Sequence, residues 1–169
     1  MYPFITIRLF LFCIGVTLMV QALGQSSVLQ SGSWYKVAVE TRGVYKITYE
    51  QFKKMGFDVG TDPRRIQVFG NVGGMLPQAS SASRPSDLVQ NAIFVSGEED
   101  GSFDKTDYIL FFAEGPDRIQ YDVAREIFLY ENNLYSEKNF YFLTIASDNG
   151  KRITVSENLG NGTAVIREY

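Results

Sequence analysis

Residues 91–115 read NAIFVSGEEDGSFDKTDYILFFAEG. Two apolar runs, IFV at 93–95 and YILFFA at 108–113, flank a short acidic segment. Both runs are rich in β-branched and aromatic side chains, which pack well on a pleated surface, so both predict buried strands. Between them, Asp100-Gly101 is a turn dipeptide, because glycine accepts the positive φ that a tight turn requires. The stretch therefore predicts a β-hairpin with a polar tip.

The tip carries Glu98, Glu99, Asp100, Asp104 and Asp107. Carboxylates this close repel one another unless solvent or a cation screens them. Aligning Gly101 with the invariant glycine of an EF-hand loop puts Ser96, Glu98, Asp100, Asp104 and Asp107 at the first, third, fifth, ninth and twelfth positions, with Phe103 at the apolar eighth. These five residues form a candidate metal site, and calcium is the candidate cofactor. Serine at the first position, aspartate at the last and strands in place of helices depart from the EF-hand pattern, and a solvated tip is the competing reading. A carboxylate-only enzyme, such as a glycosidase using two of Glu98, Glu99, Asp104 and Asp107, needs an enclosed site that raises one carboxyl pKa. A hairpin tip shows no sign of one.

Upstream, residues 34–40 alternate, with Tyr35, Val37 and Val39 on an apolar face. Residues 44–49 alternate again after a turn at Thr41-Arg42-Gly43, and together the two runs predict a first hairpin. Residues 49–55 change period. Phe52 and Met55 stand three apart, lysines 53 and 54 suit the negative end of a helix, and Gly56 is placed as a C-cap, so a two-turn helix is expected. Residues 65–69 are a further strand. The glycine-rich GNVGG at 70–74 lacks the Gly-Lys-Ser/Thr ending of a phosphate loop and reads as a turn. Residues 77–90 form a long loop.

Downstream, residues 118–121 and 128–130 are short strands, and 140–146 is the most strand-like run in the chain. Asp148-Asn149-Gly150 is a hairpin signal, with residues 151–155 expected to return along it. A turn at 157–162, a strand beginning at 163–166 and a glycosylation sequon at Asn161-Gly162-Thr163 complete the pattern. Many short strands and one short helix predict a mainly β fold, an antiparallel sandwich or barrel-like domain.

With 169 residues, 45% hydrophobic and 14% aromatic, the chain is large enough for one domain with a true core. A net charge of −3 with no basic patch gives no reason to expect a nucleic-acid partner. There is no histidine, and the one cysteine is Cys13. A Cys-His or Ser-His nucleophile pair therefore cannot be assembled, nor can a histidine-based zinc site.

Cys13 lies in residues 1–24, which read as a secretory signal peptide. Arg8 supplies the positive region, residues 9–20 an apolar run too short to span a bilayer, and Ala22-Leu23-Gly24 the small residues of a cleavage site before Gln25. Residues 25–33 are a polar, flexible lead-in.

Four blocks, WYKVAVETRGVYKITYEQFKKMGF, DPRRIQVFGNVGGMLPQ, NAIFVSGEEDGSFDKTDYILFFAEGPD and NLYSEKNFYFLTI, occur in this order. They resemble the N-terminal region of the gingipain-family cysteine peptidases that serve as sortases of the type IX secretion system in Bacteroidetes. The resemblance covers nearly all of residues 33–145. It implies an exported protein at the outer-membrane surface, where the family removes C-terminal sorting domains from secreted cargo and helps attach that cargo to anionic lipopolysaccharide.

The family's catalytic cysteine and histidine lie in a downstream peptidase domain, so no catalytic residue carries over to this chain. On this reading residues 34–169 are a non-catalytic N-terminal β-domain, truncated before the peptidase domain and inactive alone. Its partners are that downstream domain, outer-membrane components of the secretion system and secreted cargo. The alternative is a free-standing secreted β-module that binds carbohydrate or protein, with Trp34 and the tyrosines as stacking surfaces.

Overall fold

Successive side chains of a strand point to opposite faces, so an alternating segment buries one face only. In the computed structural model, which describes residues 26–154, that alternation builds nine strands and one helix. In chain order they are β1 (Tyr35–Val39), β2 (Gly43–Thr48), α1 (Tyr49–Met55), β3 (Ile66–Phe69), β4 (Gln90–Asn91), β5 (Ile93–Ser96), β6 (Tyr108–Ala113), β7 (Arg118–Asp122), β8 (Ile127–Glu131) and β9 (Asn139–Ile145). The chain divides into two units, 1–30 and 31–169. The described part of the first holds a short 3-10 turn at Val28–Gln30, and every strand lies in the second.

The strands form three antiparallel sheets, ordered β1-β9-β3-β4, β2-β6-β5 and β7-β8. Val39, Ile66, Val68, Tyr141 and Leu143 of the first share one buried cluster with Ile47, Ile93, Val95, Ile109, Phe111 and Ala113 of the second. Each fully buried aliphatic or aromatic side chain here contributes about 1.5–3 kcal/mol. Phe111 and Tyr141 meet across the two layers with ring centroids 5.6 Å apart, and the Tyr141 hydroxyl accepts a 2.8 Å bond from the Glu114 amide. The result is a two-sheet β-sandwich; the described strands close no barrel.

Helix α1 lies where its pattern places it. Thr48 caps it with a capping box, its hydroxyl taking the Gln51 amide while the Gln51 side chain takes the Thr48 amide. Gly56 ends it at φ 88°, a left-handed conformation that costs glycine little. The buried Phe52 packs edge-on against Phe57 at 4.6 Å and against Phe103 at 5.1 Å. Phe103 belongs to the acidic tip, so the helix clamps the central hairpin. That hairpin forms as read, with Ile93 opposite Phe111 and Ser96 opposite Tyr108.

Two pairings differ from the sequence reading. β1 and β2 are not a hairpin: β1 pairs with β9 and β2 with β6, in different sheets. The chain turns the corner between layers at Thr41-Arg42, where the Tyr45 hydroxyl donates to the Thr41 carbonyl at 2.8 Å, a tyrosine-corner arrangement. Alternation shows which face of a strand is apolar, not which strand shares its hydrogen bonds, and the partner of β1 lies far downstream.

The segment after Asp148-Asn149-Gly150 does not return along β9 either. The Gly150 amide bonds to the Arg64 carbonyl, and Lys151 and Ile153 hydrogen-bond to the two sides of Ile93, so Arg152 sits in a parallel bridge on the edge of β5. The expected features at 157–166, the sequon and the leader lie outside the described residues. Among the described residues no helix is long and apolar enough to cross a membrane.

Candidate functional site

The acidic tip is shaped by two left-handed glycines, Gly97 at φ 83° and Gly101 at φ 78°, with a 3-10 turn at Glu98–Asp100 between them. Its carboxylates are used one at a time. Asp107 is buried, accepts the Asp104 amide at 2.7 Å and stands so close to Gly97 that a Cβ there would collide with its carboxylate. Its carbonyl takes the Tyr49 amide at 3.2 Å, tying the tip to the first residue of α1. Asp100 accepts the Ser102 amide at 2.8 Å, and Asp104 accepts the Ser102 hydroxyl at 3.3 Å.

Glu98 pairs with Arg152 at 2.7 Å, and the same guanidinium donates to the carbonyls of Pro63 at 3.0 Å and Ile66 at 3.3 Å. Ser96 pairs with Tyr108 through the ladder. Sequence spacing thus put Ser96, Glu98, Asp100, Asp104 and Asp107 on one loop, while the structure engages Glu98 and Asp107 in separate protein contacts. Among the described residues no group of three or more acidic side chains is placed to hold a metal ion. Arg152 was not legible as the partner of Glu98, because nothing local links positions so far apart in sequence.

A second locus surrounds the base of β7 and β8. Asp117 accepts a short hydrogen bond from the Tyr130 hydroxyl and a 2.8 Å bond from the Asn133 amide. The Tyr130 hydroxyl first, then the Asn133 amide, hold the Asp117 carboxyl below its ordinary 3.8. The same contact with Asp117 raises the Tyr130 phenol above its ordinary 10.0. Asn133 also donates to the Pro116 carbonyl at 3.2 Å and accepts the amides of Tyr135 and Ser136. Beside this base opens a polar cleft of about 640 Å³, lined by Glu40, Asp117, Asn132, Asn133, Tyr135 and Glu137 among others. The sequence offered no motif for it, since it draws on the end of β1 and two loops.

The aromatic residues divide by role. Trp34 packs edge-on against Phe69 at 5.2 Å and donates its indole N–H to the Ser31 carbonyl at 2.7 Å. Tyr35 stacks on Phe57 at 3.8 Å and bonds to the Gly56 carbonyl. These rings hold the fold. Among the described residues the exposed ones are Phe94 and Phe112 on the second sheet, and Tyr121, Phe128, Tyr130 and Tyr135 on or next to the third.

The class this defines is an antiparallel β-domain of two packed sheets and a two-stranded ribbon, whose described residues contain neither thiol nor imidazole. No protein-family model matches the chain, and no curated protein does. A solved structure does: dimeric latent PorU from Porphyromonas gingivalis, at 31% sequence identity and a TM-score of 0.54 over 79% of this chain. The β-domain is therefore PorU-like. The chain spans 11% of the length of that protein.

Proposed function

We propose that this chain is the non-catalytic N-terminal β-domain of a type IX secretion sortase, a gingipain-type cysteine peptidase that removes C-terminal sorting domains from exported cargo at the cell surface. The observation that carries the reading is the 31% identity to PorU over 79% of the chain, at a matching fold. The absence of histidine, with the one cysteine at Cys13 in the expected leader, favours a supporting role over a catalytic one. Gingipain-type cleavage needs a thiolate beside an imidazole that takes the thiol proton and later protonates the leaving amine. The domain instead offers contact surfaces to a downstream peptidase domain, to cargo and to outer-membrane components.

Incubating the purified chain with cargo that carries a sorting domain tests this. No cleavage is expected, with or without a thiol-alkylating reagent, and turnover by the chain alone would overturn the reading.

A second reading, a secreted module that binds carbohydrate, is favoured by the open cleft, where Asn132, Ser136 and Glu137 stand near the exposed ring of Tyr135. Glycan-array binding lost in Tyr135→Ala would favour that reading over the first.

A further inference from the structure

Strands β1 and β2 each stand at the edge of their sheet, with a single ladder partner. β1 pairs with β9 alone, and among the described residues no hydrogen bond engages the backbone of Tyr35–Val39 from its other side. An apolar groove of about 290 Å³ opens where the two sheets part, lined by Val37 of β1, Ile47 of β2, and Gln51, Lys54 and Met55 of α1. Ile47 is buried and Val37 and Met55 are half-buried, so they make its floor; Gln51 and Lys54 are exposed and make its rim. The surroundings are basic. Lys53 and Lys54 lie in the last turn of α1, and Lys36 and Lys46 adjoin Val37 and Ile47 in sequence. Lys36 Nζ sits 3.6 Å from the centre of the Phe140 ring, and Lys46 Nζ sits 3.8 Å from that of Tyr108. All four lysines are exposed, and none joins an ion pair among the described residues; Glu50, one turn before Lys54, forms none with it.

We propose that this groove binds an extended segment of a partner protein in which apolar and acidic residues alternate, added as a strand on the open edge of β1. An unpaired edge offers main-chain hydrogen bonds for affinity, and pockets for alternate side chains give specificity. Successive side chains of a strand point to opposite faces. One row of the added strand therefore continues the inward row of Tyr35, Val37 and Val39 and enters the groove against Val37, Ile47 and Met55. The other row continues the outward row of Lys36 and Ala38, where a carboxylate across from an ammonium stabilises the ladder and a second cation opposes it. Lys54 at the rim sets the same sign, because complementary potentials steer encounter and suppress wrong partners. A lipid surface would need apolar side chains that protrude, whereas Val37, Ile47 and Met55 are recessed. Only β1, β2 and α1 take part, so the groove binds such a segment whether or not a peptidase domain follows.

The full chain tests this by calorimetric titration with a short synthetic peptide of alternating valine and glutamate, long enough to span the five residues of β1, and with its valine–lysine counterpart. The glutamate peptide should bind and the lysine peptide should not. Lys54→Glu, a change at an exposed side chain, should weaken binding about tenfold, the effect of reversing one charge at an interface. Amide hydrogen exchange reads the strand directly. With the glutamate peptide bound, exchange should slow at alternate residues of 35–39, because an added strand bonds to every second residue of the edge it joins. No binding of the glutamate peptide, equal binding of the lysine peptide, unchanged affinity in Lys54→Glu, or binding without slowed exchange along β1 would each overturn the proposal. So would exchange along β1 that slows with anionic phosphatidylglycerol vesicles, or with rising concentration of the chain alone, and not with the peptide.

Discussion

Glu98 accepts a hydrogen bond from Arg152 Nε at 2.7 Å, joining the tip of the central hairpin to the segment that leaves the first sheet. The pair is three-quarters or more buried, with side-chain exposures of 24% and 21%. The same guanidinium satisfies two backbone carbonyls. A planar, five-donor group can serve three acceptors at once, where a lysine ammonium cannot hold the same fork.

Arg152→Ala should therefore cost about 1.5–3 kcal/mol, the range for hydrogen bonds to charged groups. Arg152→Lys should recover only part of it. Urea unfolding followed by far-ultraviolet circular dichroism gives the values. A loss indistinguishable from that of an exposed arginine such as Arg84 would contradict the role.

Gly97 and Gly43 make a paired test of backbone strain. Gly97→Ala places a Cβ at φ 83° and into the Asp107 carboxylate. The left-handed conformation alone costs about 1–2 kcal/mol, and the collision adds to it. Gly43 has open space around it, so Gly43→Ala should stay within about 0.5 kcal/mol of wild type. Equal melting temperatures for the two variants would refute the tip geometry.

The Tyr130–Asp117 contact sets a pH window for the base of the ribbon. Asp117 is lowered below 3.8 by its hydrogen bonds, so its contribution is present above the unfolded pKa and is lost as pH falls through the folded value. Tyr130 is raised above 10.0 by the same bond, so its contribution is present below that value and is lost as pH rises through the folded pKa. Amide exchange at Asn133, whose N–H bonds to Asp117, should be slowest between these limits when corrected for its intrinsic rate. Asp117→Asn should weaken protection across the window and flatten the acid limb. Unchanged protection in that variant would contradict the assignment.

Calcium binding at the tip would compete with Arg152 for Glu98. Calorimetric titration of the full chain with calcium sets the two uses of that carboxylate against each other. With Glu98 held by Arg152, the heat should be flat and the melting temperature unmoved. A stoichiometric heat abolished by Asp100→Ala and Asp104→Ala would establish the cation site that the loop spacing suggests.

Local chemistry was legible in the sequence, and long-range pairing was not. The strands at 93–96 and 108–113 were readable as a hairpin because both partners and the turn lie in one continuous stretch. Helix α1 was readable because Phe52, Met55 and Gly56 fix its face and its end. The β1–β2 pairing was misread because the corner at Thr41-Arg42 looks like a hairpin turn until the Tyr45 hydroxyl is seen to hold it. Arg152 was invisible as a site residue because its partners, Glu98, Pro63 and Ile66, meet it only in the folded chain. The cleft beside Asp117 was invisible for the same reason: Glu40 and Glu137 come together only when β1 and β9 pair.

The central claim, that this β-domain serves a peptidase encoded with it, is tested most directly by sequencing the gene beyond the codon for Tyr169. The account predicts an open frame that continues into a gingipain-type peptidase domain with its own histidine and cysteine. A stop codon at that point, with no such domain following in frame, would contradict it.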